Sequence, residues 1–152
     1  MMEGHLAPDF TLATDSGTPL ALSSLGGKVV VLYFYPKDDT SGCTTEACEF
    51  RDAFPRFKKS KAVILVVSPD SVESHRKFRA KYGLPFTLLA DTGHQVAERY
   101  GVWKEKSMYG RKYMGVERTT FLIGADGRIA KVFRKLKPAG HAEEVEAALA
   151  EL

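Results

Sequence analysis

The sequence predicts an α/β fold with a mixed central sheet flanked by helices. Three observations carry that reading. Residues 29–35 (Val-Val-Val-Leu-Tyr-Phe-Tyr) and 62–67 (Ala-Val-Ile-Leu-Val-Val) are continuous apolar runs rich in β-branched residues, the pattern of strands buried on both faces as in a parallel sheet. Between them Ala47, Phe50, Phe54 and Phe57 recur on one helical stripe, so strand, helix and strand make a βαβ unit. Late in the chain, residues 119–123 and 128–133 flank Ala125-Asp126-Gly127, an antiparallel hairpin signal.

Taken in order, residues 6–28 read as an N-terminal flap. Phe10-Thr-Leu and Pro19-Leu-Ala-Leu flank the turn signal Asp15-Ser16-Gly17, so a short β-hairpin is expected. Gly26-Gly27 breaks the chain before the first apolar strand. The helical pattern that follows begins near Cys43. Within it Pro55 removes the donor that would reach the Arg51 carbonyl, so a kink or restart is expected there. Ser68-Pro69-Asp70-Ser71 is a helix start, Val72, His75, Phe78 and Tyr82 share one face, and Gly83 closes the helix; His75 reads as a packed histidine. Residues 85–89 read as a short strand, 94–100 as a helix ended by Gly101, and 102–117 as a polar, aromatic-rich loop. After Pro138, Val145, Leu149 and Leu152 mark a C-terminal helix. A thioredoxin-like arrangement suits the first βαβ unit and the late hairpin plus helix, in a single domain over 1–152.

Composition narrows the functional classes. At 152 residues the chain has room for one core, and 44% apolar with 27% charged residues is ordinary for a soluble globular protein. No apolar run approaches the roughly 20 residues of a membrane span. The start, Met1-Met2-Glu3-Gly4-His5, carries no secretory pattern, so a cytoplasmic location is expected. A net charge of +3 does not argue for nucleic acid, and the basic stretch Lys104 to Lys112, interleaved with Tyr109, reads as a solvated loop. Two cysteines are too few for a four-thiolate zinc site, His5, His94 and His141 show no ligand spacing, and no metal or other cofactor is implied. A permanent disulfide is disfavoured in a reducing cytosol. Two inert buried thiols or a working redox pair remain.

Both cysteines lie in residues 35–48, where the first apolar strand gives way to the helix. The working assignment is Cys43 as nucleophile and Cys48 as its redox partner. Helix-start N–H groups lack internal partners and the macrodipole adds partial positive charge, so a thiolate at Cys43 is favoured. At about 100° per residue, Cys43 shares the stripe of Ala47, Phe50 and Phe54, and Cys48 falls roughly 140° away. In a regular helix their Cα atoms lie about 8.5–9 Å apart, whereas a disulfide needs roughly 4.4–6.8 Å. The pair can close only if the helix start unwinds.

The residues also carry a family resemblance. Pro36-x3-Thr40-x2-Cys43 resembles the active-site signature of peroxiredoxins, and the run from Phe34 to Asp52 is similar to the bacterioferritin comigratory protein, or peroxiredoxin Q, subgroup. Ala7-Pro8-Asp9-Phe10-Thr-Leu, Tyr113-Met-Gly-Val-Glu-Arg118-Thr-Thr-Phe-Leu-Ile and Gly140-His-Ala-Glu-Glu-Val agree, so the match spans nearly the whole chain. Ser41, where the subgroup usually has proline, is a departure that carries no chemistry.

The resemblance implies a thioredoxin-like peroxiredoxin fold and a thiol peroxidase acting on hydrogen peroxide and organic hydroperoxides. Cys43 maps to the peroxidatic cysteine and Cys48 to the resolving one, joined as an intramolecular disulfide during turnover. Pro36, Thr40 and Arg118 map to the residues that shape the peroxide pocket. The implied reductant is thioredoxin or a glutaredoxin-like dithiol, and the implied state is a monomer.

Taken alone, Thr40 reads as a helix cap, Arg118 as a surface partner of Glu117 or another acid, Glu46 as a first-turn acid, and Trp103 as a packing residue as much as a site residue. Two other functions compete with the peroxidase. A general thiol–disulfide oxidoreductase is disfavoured because C-x-x-C is absent. A redox-switched binding or chaperone module would use the same disulfide without catalysis.

Overall fold

The computed structural model describes residues 2–134 and 136–152. The apolar runs form the centre of a seven-stranded mixed sheet. Strand β3 (Val30–Phe34) pairs in parallel with β4 (Val63–Ser68), which pairs in parallel with β5 (Thr87–Ala90). On the other side β3 is antiparallel to β8 (Thr119–Ile123), itself hairpinned to β9 (Ile129–Phe133). The expected N-terminal hairpin forms as β1 (Thr11–Thr14) and β2 (Pro19–Ala21), and β1 also pairs with β5. It extends the main sheet, in the order β2-β1-β5-β4-β3-β8-β9.

Strand alternation divides the core. Val31, Tyr33 and Tyr35 face a cluster completed by helices α1 (Ser41–Lys59), α2 (Val72–Tyr82) and α4 (His141–Leu149), through Phe50, Phe57, Phe78 and Val145. Val30, Leu32 and Phe34 face the opposite cluster, which includes Val96, Ala97 and Tyr100 from and beside α3 (Gln95–Arg99). Each such fully buried large side chain contributes about 1.5–3 kcal/mol. The sheet therefore forms a rigid base for the loop that leaves β3.

One expectation is corrected. Residues 102–117 are not a loop: β6 (Trp103–Met108) and β7 (Arg111–Val116) form a separate two-stranded antiparallel ribbon. Its turn is Tyr109-Gly110, both at positive φ (53° and 77°), the conformation of a tight hairpin turn. Both faces of the ribbon mix charged with apolar residues (Glu105 opposite Met114, Lys106 opposite Tyr113), so it lacks the clean apolar alternation that announces a strand. The basic stretch is carried on it, with Lys112 Nζ 3.7 Å from Glu105 Oε1.

Of the kink or restart expected at Pro55, the restart does not occur: α1 runs unbroken from Ser41 to Lys59 with Pro55 inside it. Pro55 is exposed, and Ala53 and Phe57 on either side remain buried. Helix α2 follows its sequence signals: the Ser71 hydroxyl accepts from the Ser74 N–H at 3.1 Å, and Gly83 ends the helix at φ 60°.

Candidate active site

Strand β3 delivers the chain to the site. Tyr35 donates its N–H to the Val67 carbonyl at 3.0 Å, and the chain then leaves the sheet through residues 36–40. Thr40 is the N-cap of α1, in extended conformation, and its carbonyl accepts from the Thr44 N–H at 2.8 Å. Its hydroxyl makes no capping bond. It donates instead to the Lys37 carbonyl at 3.0 Å, which tightens the loop and leaves the oxygen's lone pairs as acceptors. Pro36 is half-buried in the same loop.

Cys43 is the third residue of α1, in the turn whose N–H groups have no helical acceptor, and it is only 2% exposed. Arg118, between β7 and β8, donates from Nη2 to Cys43 Sγ at 3.1 Å and from Nη1 to Glu46 Oε1 at 3.0 Å. Burial alone would lower the guanidinium's pKa, but the Cys43 and Glu46 charges and hydrogen bonds outweigh it and hold it above its ordinary value. A charged donor is therefore fixed on the sulfur. The approach depends on Gly42: a Cβ there would lie 3.2 Å from Arg118 Nη2 and 3.4 Å from Pro138 Cγ.

Glu46 is not in the first turn of α1, and it is not a solvent-facing acid. It is fully buried, and desolvation outweighs the pull of Arg118, raising its pKa to about 7. Its second oxygen lies 3.9 Å from His141 Nε2. That contact is not an ion pair, because burial, then the Arg118 charge, lowers the His141 pKa to about 4 and keeps the imidazole neutral. His141 Nε2 is instead 2.8 Å from the Thr120 hydroxyl.

Cys48 lies half-buried in the same unbroken helix, and both thiols are free. The structure thus brings Arg118 onto Cys43, places Thr40 and Pro36 in the loop leading to it, and leaves Cys48 a turn and a half further along. Trp103 stacks on His94 (3.9 Å between centroids, 2° between planes) and packs against the core, the packing alternative for that residue.

Residues 4–132 match the sequence profile of the AhpC/TSA family. The chain belongs to that family. It is 53% identical to peroxiredoxin Bcp of Bacillus subtilis over 93% of this chain and 90% of that one. With peroxiredoxin Bcp of Xanthomonas campestris it shares 46% identity, over 93% and 88%. Among solved structures it resembles the X. campestris bacterioferritin comigratory protein, studied for alkyl peroxide reduction (TM-score 0.89, 44% identity, 93% and 90% covered). It also resembles a cysteine-to-serine variant of Xylella fastidiosa PrxQ (TM-score 0.94, 41% identity, 99% and 96% covered). The fold is the thioredoxin-like one of peroxiredoxins, and the protein is a thiol peroxidase.

In this peroxiredoxin, Asp38, Asp70 and His75 bring three potential metal-ligand atoms within 4.8 Å of one another. These groups already satisfy one another. His75 Nδ1 is 2.7 Å from Asp38 Oδ2, and Asp70 Oδ2 accepts from the Asp38 N–H and the Ser68 hydroxyl at 2.8 and 2.6 Å. No helix is long and apolar enough to cross a membrane among the described residues.

Gly42, Glu46, His141 and the Asp38–His75 pair escape sequence reasoning. Cys43-x2-Glu46 on one helical face was the available signal for Glu46, since positions three apart are neighbours on a helix. The others depend on approaches across long sequence separations.

Proposed function

We propose that this peroxiredoxin reduces hydrogen peroxide and alkyl hydroperoxides through Cys43 as the peroxidatic thiol and Cys48 as the resolving one. The observation that carries this reading is the 3.1 Å bond from Arg118 to the Cys43 sulfur at the start of α1. The thiolate attacks the nearer peroxide oxygen in line with the O–O bond. A new S–O bond forms, the O–O bond breaks with its electron pair leaving on the far oxygen, and that alkoxide or hydroxide takes a proton to become alcohol or water. Cys43 is then a sulfenic acid.

A thiolate's nucleophilicity falls as it becomes less basic, so a stabilised thiolate alone does not explain fast attack. Donors aimed at the developing charge must supply the rate. The Arg118 guanidinium and the Cys43 N–H fill that role. The Thr40 hydroxyl is held by Lys37 in the resting loop, where its lone pairs can receive the O–H of an incoming hydroperoxide. Pro36, with no N–H of its own, walls the site from water.

Resolution needs the helix start to unwind, because the two Cα atoms of an intact α1 are too far apart for a disulfide. The Cys48 thiolate then attacks the Cys43 sulfur, hydroxide leaves and is protonated to water, and the S–S bond closes within one chain. A thioredoxin-like dithiol reduces it by thiol–disulfide exchange. Both thiols lie on one helix, so no second protomer is needed.

Stopped-flow mixing of the reduced protein with peroxide tests the proposal. Second-order consumption orders of magnitude faster than by free cysteine is expected, and a rate equal to free cysteine would refute it.

A further inference from the structure

The loop that presents Thr40 and leads to Cys43 is tied down by a buried network on its far side. The Asp38 side chain is 4% exposed and that of His75 is fully buried. Asp38 Oδ2 meets His75 Nδ1 at 2.7 Å and accepts from the Ser74 hydroxyl at 2.9 Å. Its Oδ1 accepts from the Tyr35 hydroxyl. Burial, then the Asp38 charge, pushes the Tyr35 phenol well above its ordinary value, so it keeps the proton it donates. His75 Nε2 faces the Leu89 carbonyl at 2.9 Å, so one imidazole spans the loop and the sheet. Asp39, at φ 58°, is held by Lys81 and the Tyr82 hydroxyl, both at 2.7 Å. Helix α2 thus grips both aspartates of the turn. Further along α1, Arg51 donates to the Tyr82 carbonyl at 2.8 Å. Both cysteines lie between these two anchorages.

The two chemical steps need opposite arrangements of this segment. Peroxide attack needs the folded start of α1, where Arg118 reaches the sulfur. Disulfide closure needs it unwound. A contact made only in the folded arrangement shifts the balance between the steps without touching substrate.

We propose that the buried Asp38–His75 pair is the latch that holds residues 36–40 in the peroxide-reactive arrangement, and that it opens when α1 unwinds, so that His75 is a positioning residue that sets the partition between attack and resolution. The inference rests on the Cys43–Cys48 pathway proposed above.

Two substitutions separate a latch from general packing. The amide of asparagine reaches roughly where imidazole Nδ1 sits, and that of glutamine roughly where Nε2 sits. His75→Asn can therefore keep the tie to Asp38, whereas His75→Gln keeps only the tie to Leu89. Peroxide attack is read by stopped flow, and closure by rapid quench with a thiol-alkylating agent followed by mass spectrometry. His75→Gln is expected to slow attack about tenfold while speeding closure several-fold, and to lower the yield of sulfinic acid at high peroxide. His75→Asn is expected to stay within about twofold of the parent for both steps. If His75→Gln does not fold, Asp38→Asn, which preserves volume but weakens the pair, is read in the same way. The latch is overturned if the glutamine and asparagine variants behave alike, if both steps slow together, or if neither rate changes. The parent protein is the control for the pathway. If one equivalent of peroxide yields no Cys43–Cys48 disulfide there, the pathway fails whatever the variants do.

Discussion

Arg118 bridges Cys43 and Glu46 with its two terminal nitrogens, at 3.1 and 3.0 Å, across more than seventy residues of sequence. One cation thus serves a sulfur that must be reactive and a carboxylate that must be buried. Lysine can supply the charge but not two donors in a fixed plane. Arg118→Lys is expected to lower the second-order rate with peroxide by about 10- to 100-fold. Stopped-flow oxidation measures this, and a rate within twofold of the parent would remove Arg118 from the chemistry.

Gly42 gives a prediction in which activity and stability part company. A methyl group there would press on Arg118 Nη2 at 3.2 Å and on Pro138. Replacing a helical glycine also removes conformational freedom from the unfolded chain, which stabilises by about 0.5–1 kcal/mol. Gly42→Ala should therefore melt at or above the parent temperature yet react several-fold more slowly with peroxide. Parallel loss of both would point to simple misfolding.

Glu46 and His141 make opposite contributions to the pH dependence of stability. Glu46 is raised from 4.5 in the unfolded chain to about 7, so its contribution is complete below pH 4.5 and is lost as pH rises through 7. His141 is lowered from 6.5 to about 4, so its contribution is complete above pH 6.5 and is lost as pH falls through 4. Between about pH 4.5 and 6.5 the two slopes oppose each other. Glu46→Gln should leave stability rising with pH from 4 to 6.5, and His141→Gln should leave it falling from 4.5 to 7. Each isolated slope is on the order of 1 kcal/mol per pH unit. Urea midpoints across pH 4–8 test this, and single-variant curves parallel to the parent's would contradict it.

The thiols separate by step. Cys43→Ser should abolish peroxidase activity. Cys48→Ser should still give one fast oxidation of Cys43 to sulfenic acid but should block recycling by a dithiol. Mass spectrometry after one equivalent of peroxide decides this, and an unmodified Cys43 in the Cys48→Ser protein would reverse the assignment. In the parent, oxidation should also accelerate amide exchange over residues 43–50, and unchanged protection there would count against unwinding.

The parts of this protein legible in the sequence are those encoded in local periodicity. Continuous β-branched runs marked β3 and β4, the apolar stripe marked α1, and Ser71 and Gly83 marked the ends of α2, because each signal is generated by neighbours within a few residues. The ribbon of β6 and β7 has no clear signal in the sequence because charged and apolar residues mix on both faces and its turn is Tyr-Gly, not the usual Asn-Gly. Pro55 interrupts the local helical pattern, yet α1 runs through it with Ala53 and Phe57 buried on either side.

By itself the sequence determined the strand–loop–helix that presents Cys43, the separation of Cys43 from Cys48 along that helix, and the family motif. The family motif pointed to Arg118, but tertiary structure alone decided that its guanidinium bridges the Cys43 sulfur and Glu46, that Glu46 is buried with neutral His141 beside it, and that His75 grips the loop through Asp38. The physical reason is range. Helix and strand signals act over a few residues, whereas hydrogen bonds, desolvation and the close approach that Gly42 permits depend on groups that only the packed sheet and helices bring together.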